Sequence, residues 1–263
     1  MSLRLPLLFA LSLAACGGPA PAQDVSDDPT ETGDPVAKSV DPVPEAVEIT
    51  KKDDLVDFSF AWPIEASMEA TLARQLIAEA ETSEAELRTM AEEGAAFAKE
   101  DGRKFPGYFT KVSYRPLGQS ERLLSLSREF ATFTGGAHGN QGTHALIWDR
   151  ETDSEVESLF AGKPRRDAAL RKRWCVWLEG ERMERRGGEV VDGMFGECPS
   201  LDEITIMPMD EDGNGLFDHF VLIANPYVAG PWAEGVFETS EPIDQYMIDA
   251  MRPEYQSSFE VGQ

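Results

Sequence analysis

The stretch Asp210-Glu211-Asp212-Gly213-Asn214-Gly215-Leu216-Phe217-Asp218 concentrates oxygen donors around two glycines. Asp210, Asp212 and Asn214 occupy loop positions one, three and five, Gly215 position six and Asp218 position nine, while Leu216 offers its carbonyl. A hard cation such as calcium wants several oxygens converging around a tight turn, so this spacing is that of a calcium loop. The twelfth position is Val221 rather than a bidentate glutamate, and strand patterns flank the segment, so it is no EF-hand. Two readings stand side by side. One is a strand-flanked calcium loop with water completing the shell; the other is an acidic hairpin turn in which Gly213 and Asn214 supply the special backbone angles.

Thiol and imidazole chemistry is sparse. Of three cysteines, Cys175 and Cys198 form an even pair once Cys16 is set aside, and in an oxidising compartment such a pair is expected to be a disulfide rather than two buried thiols. The bond would close a loop of roughly twenty residues, contributing ~3 kcal/mol, and would tie the helix carrying Trp174 and Trp177 to the segment after Pro199. The three histidines, His138, His144 and His219, are scattered, and no Gly-x-Ser-x-Gly elbow, His-Glu-x-x-His pair or phosphate-cradling loop is present. No catalytic constellation assembles, and the chain reads as a binding protein rather than an enzyme.

The compartment follows from the first sixteen residues. Arg4 precedes an apolar run from Leu5, which closes in Leu13-Ala14-Ala15-Cys16-Gly17. This is similar to a bacterial lipoprotein signal, with residues 1–15 removed and Cys16 acylated as the new N-terminus. Eleven residues from Leu5 to Ala15 fall short of the ~20 that span a bilayer. The expected location is therefore the periplasm, held to the outer membrane by the acyl chains, because Gly17 and Gly18 lack an aspartate of the kind that retains lipoproteins in the inner membrane. Residues 16–54, mostly Pro, Asp, Glu, Ala and Thr, are expected to be a disordered acidic tether. With 48 acidic against 24 basic side chains, the formal net charge of −24 excludes nucleic acid as a partner and leaves lipid attachment to the anchor alone.

Periodicity outlines the body that must position these groups. Val56, Phe58 and Phe60 alternate in a first strand that ends at Trp62-Pro63. From Glu65 to Lys99 helical spacing of Met68, Leu72, Leu76, Leu87, Met90 and Phe97, with a capping box at Ser83 and Glu86, predicts two helices joined near Thr82. Strands follow at 109–114, 122–133 and 144–149, the last two separated by a glycine-rich loop. After Pro164 a helix carries Leu170, Trp174, Trp177 and Leu178 on one face; strands at 203–209, 216–224 and 234–239 and a closing helix at 243–251 complete the chain. Nine basic residues lie between Lys163 and Arg186; they are expected to neutralise neighbouring carboxylates, the alternative being contact with an anionic glycan or lipid. The fold class is α+β, antiparallel strands with packed helices, two halves in one body: 55–162 and 163–263, with a soft boundary near Ala161.

The run LSREFATFTGGAHGNQGTHALIWDRETDSEVESLF, with Gly135, Gly136 and His138 at its turn, resembles the accessory domain that precedes the catalytic domain in PdaC-type peptidoglycan deacetylases. The run FVLIANPYVAGPWAEGVFETSEP, with Asn225 and Pro226, followed by MRPEY, resembles the partner domain of unknown function found beside it in RsiV-type anti-sigma factors, which sense lysozyme. The likeness covers residues 55 to 255 and rests on glycine and proline turns, which specify a fold better than an activity. Neither a deacetylase domain nor a cytoplasmic anti-sigma segment is recognised, so signalling to a sigma factor is not expected. The resemblance implies a binding module for a lysozyme-like muramidase, to which an acidic body is electrostatically complementary, with Tyr227 and Trp232 as candidate aromatic anchors. Peptidoglycan is the alternative ligand, and an unrecognised cell-wall hydrolase the third reading.

Overall fold

The computed structural model describes residues 44–188, 193 and 195–263. Cys16, the signal 1–15 and most of the tether lie outside them. Six strands form the first sheet in sequence order: β1 (Val47–Lys52), β2 (Val56–Trp62), β3 (Tyr108–Gln119), β4 (Leu123–Phe133), β5 (Asn140–Asp149) and β6 (Ser154–Glu155). All neighbours run antiparallel except β2 and β3, which are parallel because the helical crossover α1 (Ile64–Met68) and α2 (Ala70–Glu100) joins them.

β1 corrects the tether boundary at residue 54. Its residues pair with β2, Ile49 opposite Phe60 and Lys51 opposite Phe58, and Val47 and Ile49 lean on the core. An edge strand needs only one apolar face, so a segment with few apolar residues still joins the sheet, and its lysines are exposed. The two helices expected around Thr82 are one. Leu72, Leu76, Ala80, Leu87 and Ala91 form a continuous buried stripe through that point, and the Thr82 hydroxyl donates to the Ala78 carbonyl (2.8 Å) instead of capping a new helix. Met68, Met90 and Phe97, assigned by spacing to the core side, are exposed.

The α2 stripe packs on Val56, Phe58, Phe60 and Trp62 of β2 and on Leu124, Leu126, Leu146 and Trp148 of β4 and β5. A second, antiparallel sheet covers part of the opposite face: β7 (Thr205–Met209), β8 (His219–Ala224) and β9 (Phe237–Pro242), with β8 central and every one of its residues buried. Alternation divides β8 between two cores. Val221 and Ile223 face the first sheet with Met207, Leu117 and Ala145, whereas Phe220, Leu222 and Ala224 join Leu170, Trp174 and Leu178 of α3 (Lys163–Arg185) and Met247 of α4 (Gln245–Ala250). The fold is thus α+β in four layers, helix, sheet, sheet, helices. Leu123 and Ile147 enter the same cluster as α3, and the described residues form one compact unit.

Candidate functional site

Two loops, one from each half, meet at an exposed aromatic cluster. The first joins β4 to β5. Gly135 and Gly136 take φ values of +100° and +93°, which side chains rarely adopt, and the turn they make presents His138. The second follows β8 and is anchored by Asn225, whose Oδ1 accepts from the Thr143 amide (2.8 Å) while its Nδ2 donates to the Thr143 carbonyl (3.0 Å). One side chain thereby satisfies both backbone groups of a β5 residue. Gly142 beside it leaves the necessary room, because a Cβ there would collide with the Phe130 ring and crowd Asn225.

Beyond Pro226 the backbone bends through Tyr227 at φ +71°, unusual for a bulky residue, and the Tyr227 amide closes the turn on the Gly230 carbonyl (3.1 Å). The turn aims Tyr227 outward, 54% exposed, toward His138 and Trp232. The His138 ring stacks on Trp232 with centroids 4.5 Å apart at 20°, and the Tyr227 hydroxyl lies 3.3 Å from His138 Nε2. His138 Nδ1 sits 2.7 Å from the Gly139 carbonyl, an acceptor only; this places the proton on Nδ1 and leaves Nε2 to accept from Tyr227.

The arginines at the end of α3 position the second loop. Arg182, buried at 4% exposure, donates from Nε and Nη2 to the Ala229 carbonyl (2.9 and 2.6 Å) and from Nη1 to that of Glu197. Arg185 donates to the carbonyls of Glu234 and Val236, and Arg186 forms a two-pronged pair with the Glu234 carboxylate (2.8 Å each). At the start of the helix Lys163 and Arg166 pair with Asp202, and Arg173 with Asp244. Charge neutralisation accounts for part of the basic run; Arg182 and Arg185 hold backbone carbonyls of the loop that carries Trp232, and Arg165 and Arg171 reach those of Asp249, Cys198 and Pro199.

Next to the aromatic cluster the uncovered part of the first sheet forms a groove of about 470 Å³, lined among others by Ser59, Lys111, Ser113, Glu129, Gln141 and Thr143. Thr143 is the residue held by Asn225, and Val236 of the Trp232 loop borders the groove, so cluster and groove adjoin. His144 lies on the α2 side of the sheet, stacked on Phe130 (5.4 Å), where burial and then the Arg128 cation hold its pKa below the usual value.

Cys175 of α3 is bonded to Cys198, with Cα atoms 5.6 Å apart. In the acidic loop the oxygens bind backbone. Asp210 accepts from the amides of Gly213, Asn214 and Gly215, Asp212 from Asn214, Asn214 from Leu216 and Asp218 from Glu211. The spacing of donors at alternate positions thus serves the turn itself. Among the described residues the three or more His, Cys, Asp or Glu side chains whose ligand atoms come within 4.8 Å of one another are Glu211, Asp218 and His219, not Asp210, Asp212 and Asp218. Glu211 and His219 escaped the sequence reading because the calcium pattern skips position two, and His219 is the first residue of an apolar strand.

The fold and site define a layered α+β protein with an aromatic cluster where the β4–β5 loop meets the loop after β8. Residues 49–141 match the protein family described as Deacetylase PdaC, a span that includes Gly135, Gly136 and His138. The whole body is similar to a solved DUF3298-family protein from Bacteroides fragilis: 15% identity, a TM-score of 0.50, 81% of this chain and 95% of that one covered. A DUF3298-family protein from Pseudomonas aeruginosa PAO1 gives 15% identity, a TM-score of 0.47, and coverage of 85% and 99%. No curated protein matches the chain. At 15% identity the likeness to the Bacteroides fragilis protein is one of fold.

Proposed function

We propose that the protein is a lipid-anchored periplasmic binding module of the cell envelope, non-catalytic, that presents His138, Tyr227 and Trp232 to a basic cell-wall-cleaving protein of the lysozyme type. The convergence of these three rings from two loops carries the reading: rigid aromatic side chains at the centre of a patch are the groups that dominate protein recognition. The two-pronged Arg186 pair with Glu234 and the Asn225 clamp on Thr143 hold the rings before any partner arrives, which lowers the ordering cost of binding. A net charge of −24 speeds encounter with a basic partner and disfavours nucleic acid. The lipoprotein-like signal ending at Cys16 supports lipid anchoring, and Gly17-Gly18 after it supports the outer membrane.

The test is binding of residues 44–263 to lysozyme at low and physiological salt, beside an unrelated protein of matched charge. A specific contact persists at ~0.15 M salt, where charges are screened beyond ~8 Å, and weakens at least about tenfold in Trp232→Ala. Binding confined to low salt, or shared by the control, would reduce the reading to charge attraction. A second reading, binding of peptidoglycan itself, is favoured by the polar groove beside the rings; sedimentation with sacculi that is lost in Tyr227→Ala, without lysozyme binding, would select it. Cys16→Ala is expected to release the protein to the soluble periplasmic fraction, and persistence in the membrane would refute the anchor.

A further inference from the structure

The β7–β8 hairpin carries a second candidate site, away from the aromatic cluster. Met209 and His219 form its last paired rung, so the loop between them leaves and returns at fixed points. Asp218, 6% exposed, accepts from the Glu211 amide through Oδ1 (2.8 Å), and this bond folds Glu211 back over the end of β8. His219 lies between the two carboxylates. Its Nε2 is 2.9 Å from Glu211 Oε2, and its Nδ1 faces Asp218 Oδ1 at 3.1 Å. The residue is 8% exposed, yet Nδ1 has no hydrogen-bond partner, since the contact with Asp218 lacks the required alignment.

This arrangement is electrostatically incomplete. Nδ1 is a buried ligand atom left without a partner, and two carboxylates stand beside the same ring. A cation held among the three groups gives Nδ1 a partner and offsets the two carboxylates, and the ligand atoms of the three already lie within 4.8 Å of one another. The donor types choose the cation. Calcium takes six to eight oxygens, whereas one imidazole with two carboxylates suits zinc and its transition-metal neighbours, with water in the remaining position. Glu211 is 57% exposed on its side chain, which opens the site to solvent for metal entry.

We propose that Glu211, Asp218 and His219 form a zinc-class divalent metal site that fastens the 210–218 loop to the start of β8. The oxygens of Asp210, Asp212 and Asn214 lie outside this cluster and accept from backbone amides of the loop.

The full chain, freed of metal by chelation, is titrated calorimetrically with zinc chloride and, separately, with calcium chloride. One zinc per chain is expected, with a raised melting temperature, and no saturable calcium uptake. Glu211→Gln changes an exposed side chain and should leave the circular dichroism spectrum unaltered while weakening zinc at least about tenfold, since even groups outside the coordination shell carry 10- to 100-fold. Imidazole nitrogen NMR provides the independent readout: zinc is expected to move the His219 resonances and leave those of His138 and His144 in place. The inference is overturned by an absence of saturable zinc binding, by Glu211→Gln binding as tightly as the parent, by calcium binding equally well, or by a zinc response confined to His138 or His144.

Discussion

Replacing Cys175 and Cys198 together by serine removes a cross-link between α3 and the segment that runs into β7, two positions 23 residues apart. In the chain-entropy description a closed loop of that size restricts the unfolded ensemble by about 11 cal/mol/K, or about 3 kcal/mol at room temperature. The folded side changes little. Arg182 still reaches the Glu197 carbonyl, and Trp174 and Leu178 remain fully buried on the same helix. For a body of this size each kcal/mol moves the melting temperature by about 2–4 °C, so the double variant should melt roughly 6–12 °C lower. Urea unfolding followed by tryptophan fluorescence distinguishes the cause. An unfolded chain released from its cross-link exposes more surface, so the m-value should rise as the midpoint falls. A loss below about 1 kcal/mol would refute the entropic reasoning. A full loss with an unchanged m-value would refute it differently, by placing the effect in native packing.

Arg122 forms a two-pronged pair with Asp149, which is 1% exposed; Arg122→Ala leaves that carboxylate buried without its cation and should cost about 3 kcal/mol in chemical denaturation at pH 7. Burial pushes the Asp149 carboxyl up, but the Arg122 hydrogen bonds and the Glu151 amide outweigh it and hold it below the usual range. Its stabilisation is therefore complete above the unfolded value near 4 and is lost as pH falls through the folded one, and the variant should show a flatter acid limb of stability against pH. Tyr227→Asn places at φ +71° a residue that tolerates this backbone; thermal unfolding should show a gain of about 1 kcal/mol, while lysozyme or sacculus binding falls with the ring. His144 should titrate by NMR below the ordinary histidine value, and Arg128→Gln should recover only the lesser part of the shift, since burial is the larger cause.

Much of the scaffold was legible from alternation and spacing. Phe58 and Phe60 two apart, Leu170, Trp174 and Leu178 four apart, and the unbroken apolar run of β8 each report which face is buried, because periods of two and 3.6 are properties of a single chain segment. The glycine turn before His138 was legible for the same local reason, its φ values being ones that other residues avoid. Spacing misled where two local signals compete. The capping signature at Thr82 lost to the continuous stripe from Leu72 to Ala91, whose burial against β2 outweighs a cap, and the segment before Leu55 joined the sheet because its pairing partner lay in the next strand. Tyr227, Trp232 and His138 could each be singled out in the sequence, but that they come together was decided by tertiary structure. His138 meets Tyr227 and Trp232 only because Asn225 binds the backbone of Thr143, 82 residues earlier, and because Arg182 and Arg186 hold the loop from α3. In the acidic loop the oxygens of Asp210, Asp212 and Asn214 advertised calcium, yet each found an amide within five residues, while Glu211 was brought to Asp218 and His219 by the hairpin's return. Local periodicity dictates what each segment buries; the meeting of side chains far apart in the chain depends on how those buried faces stack, and no single segment encodes that.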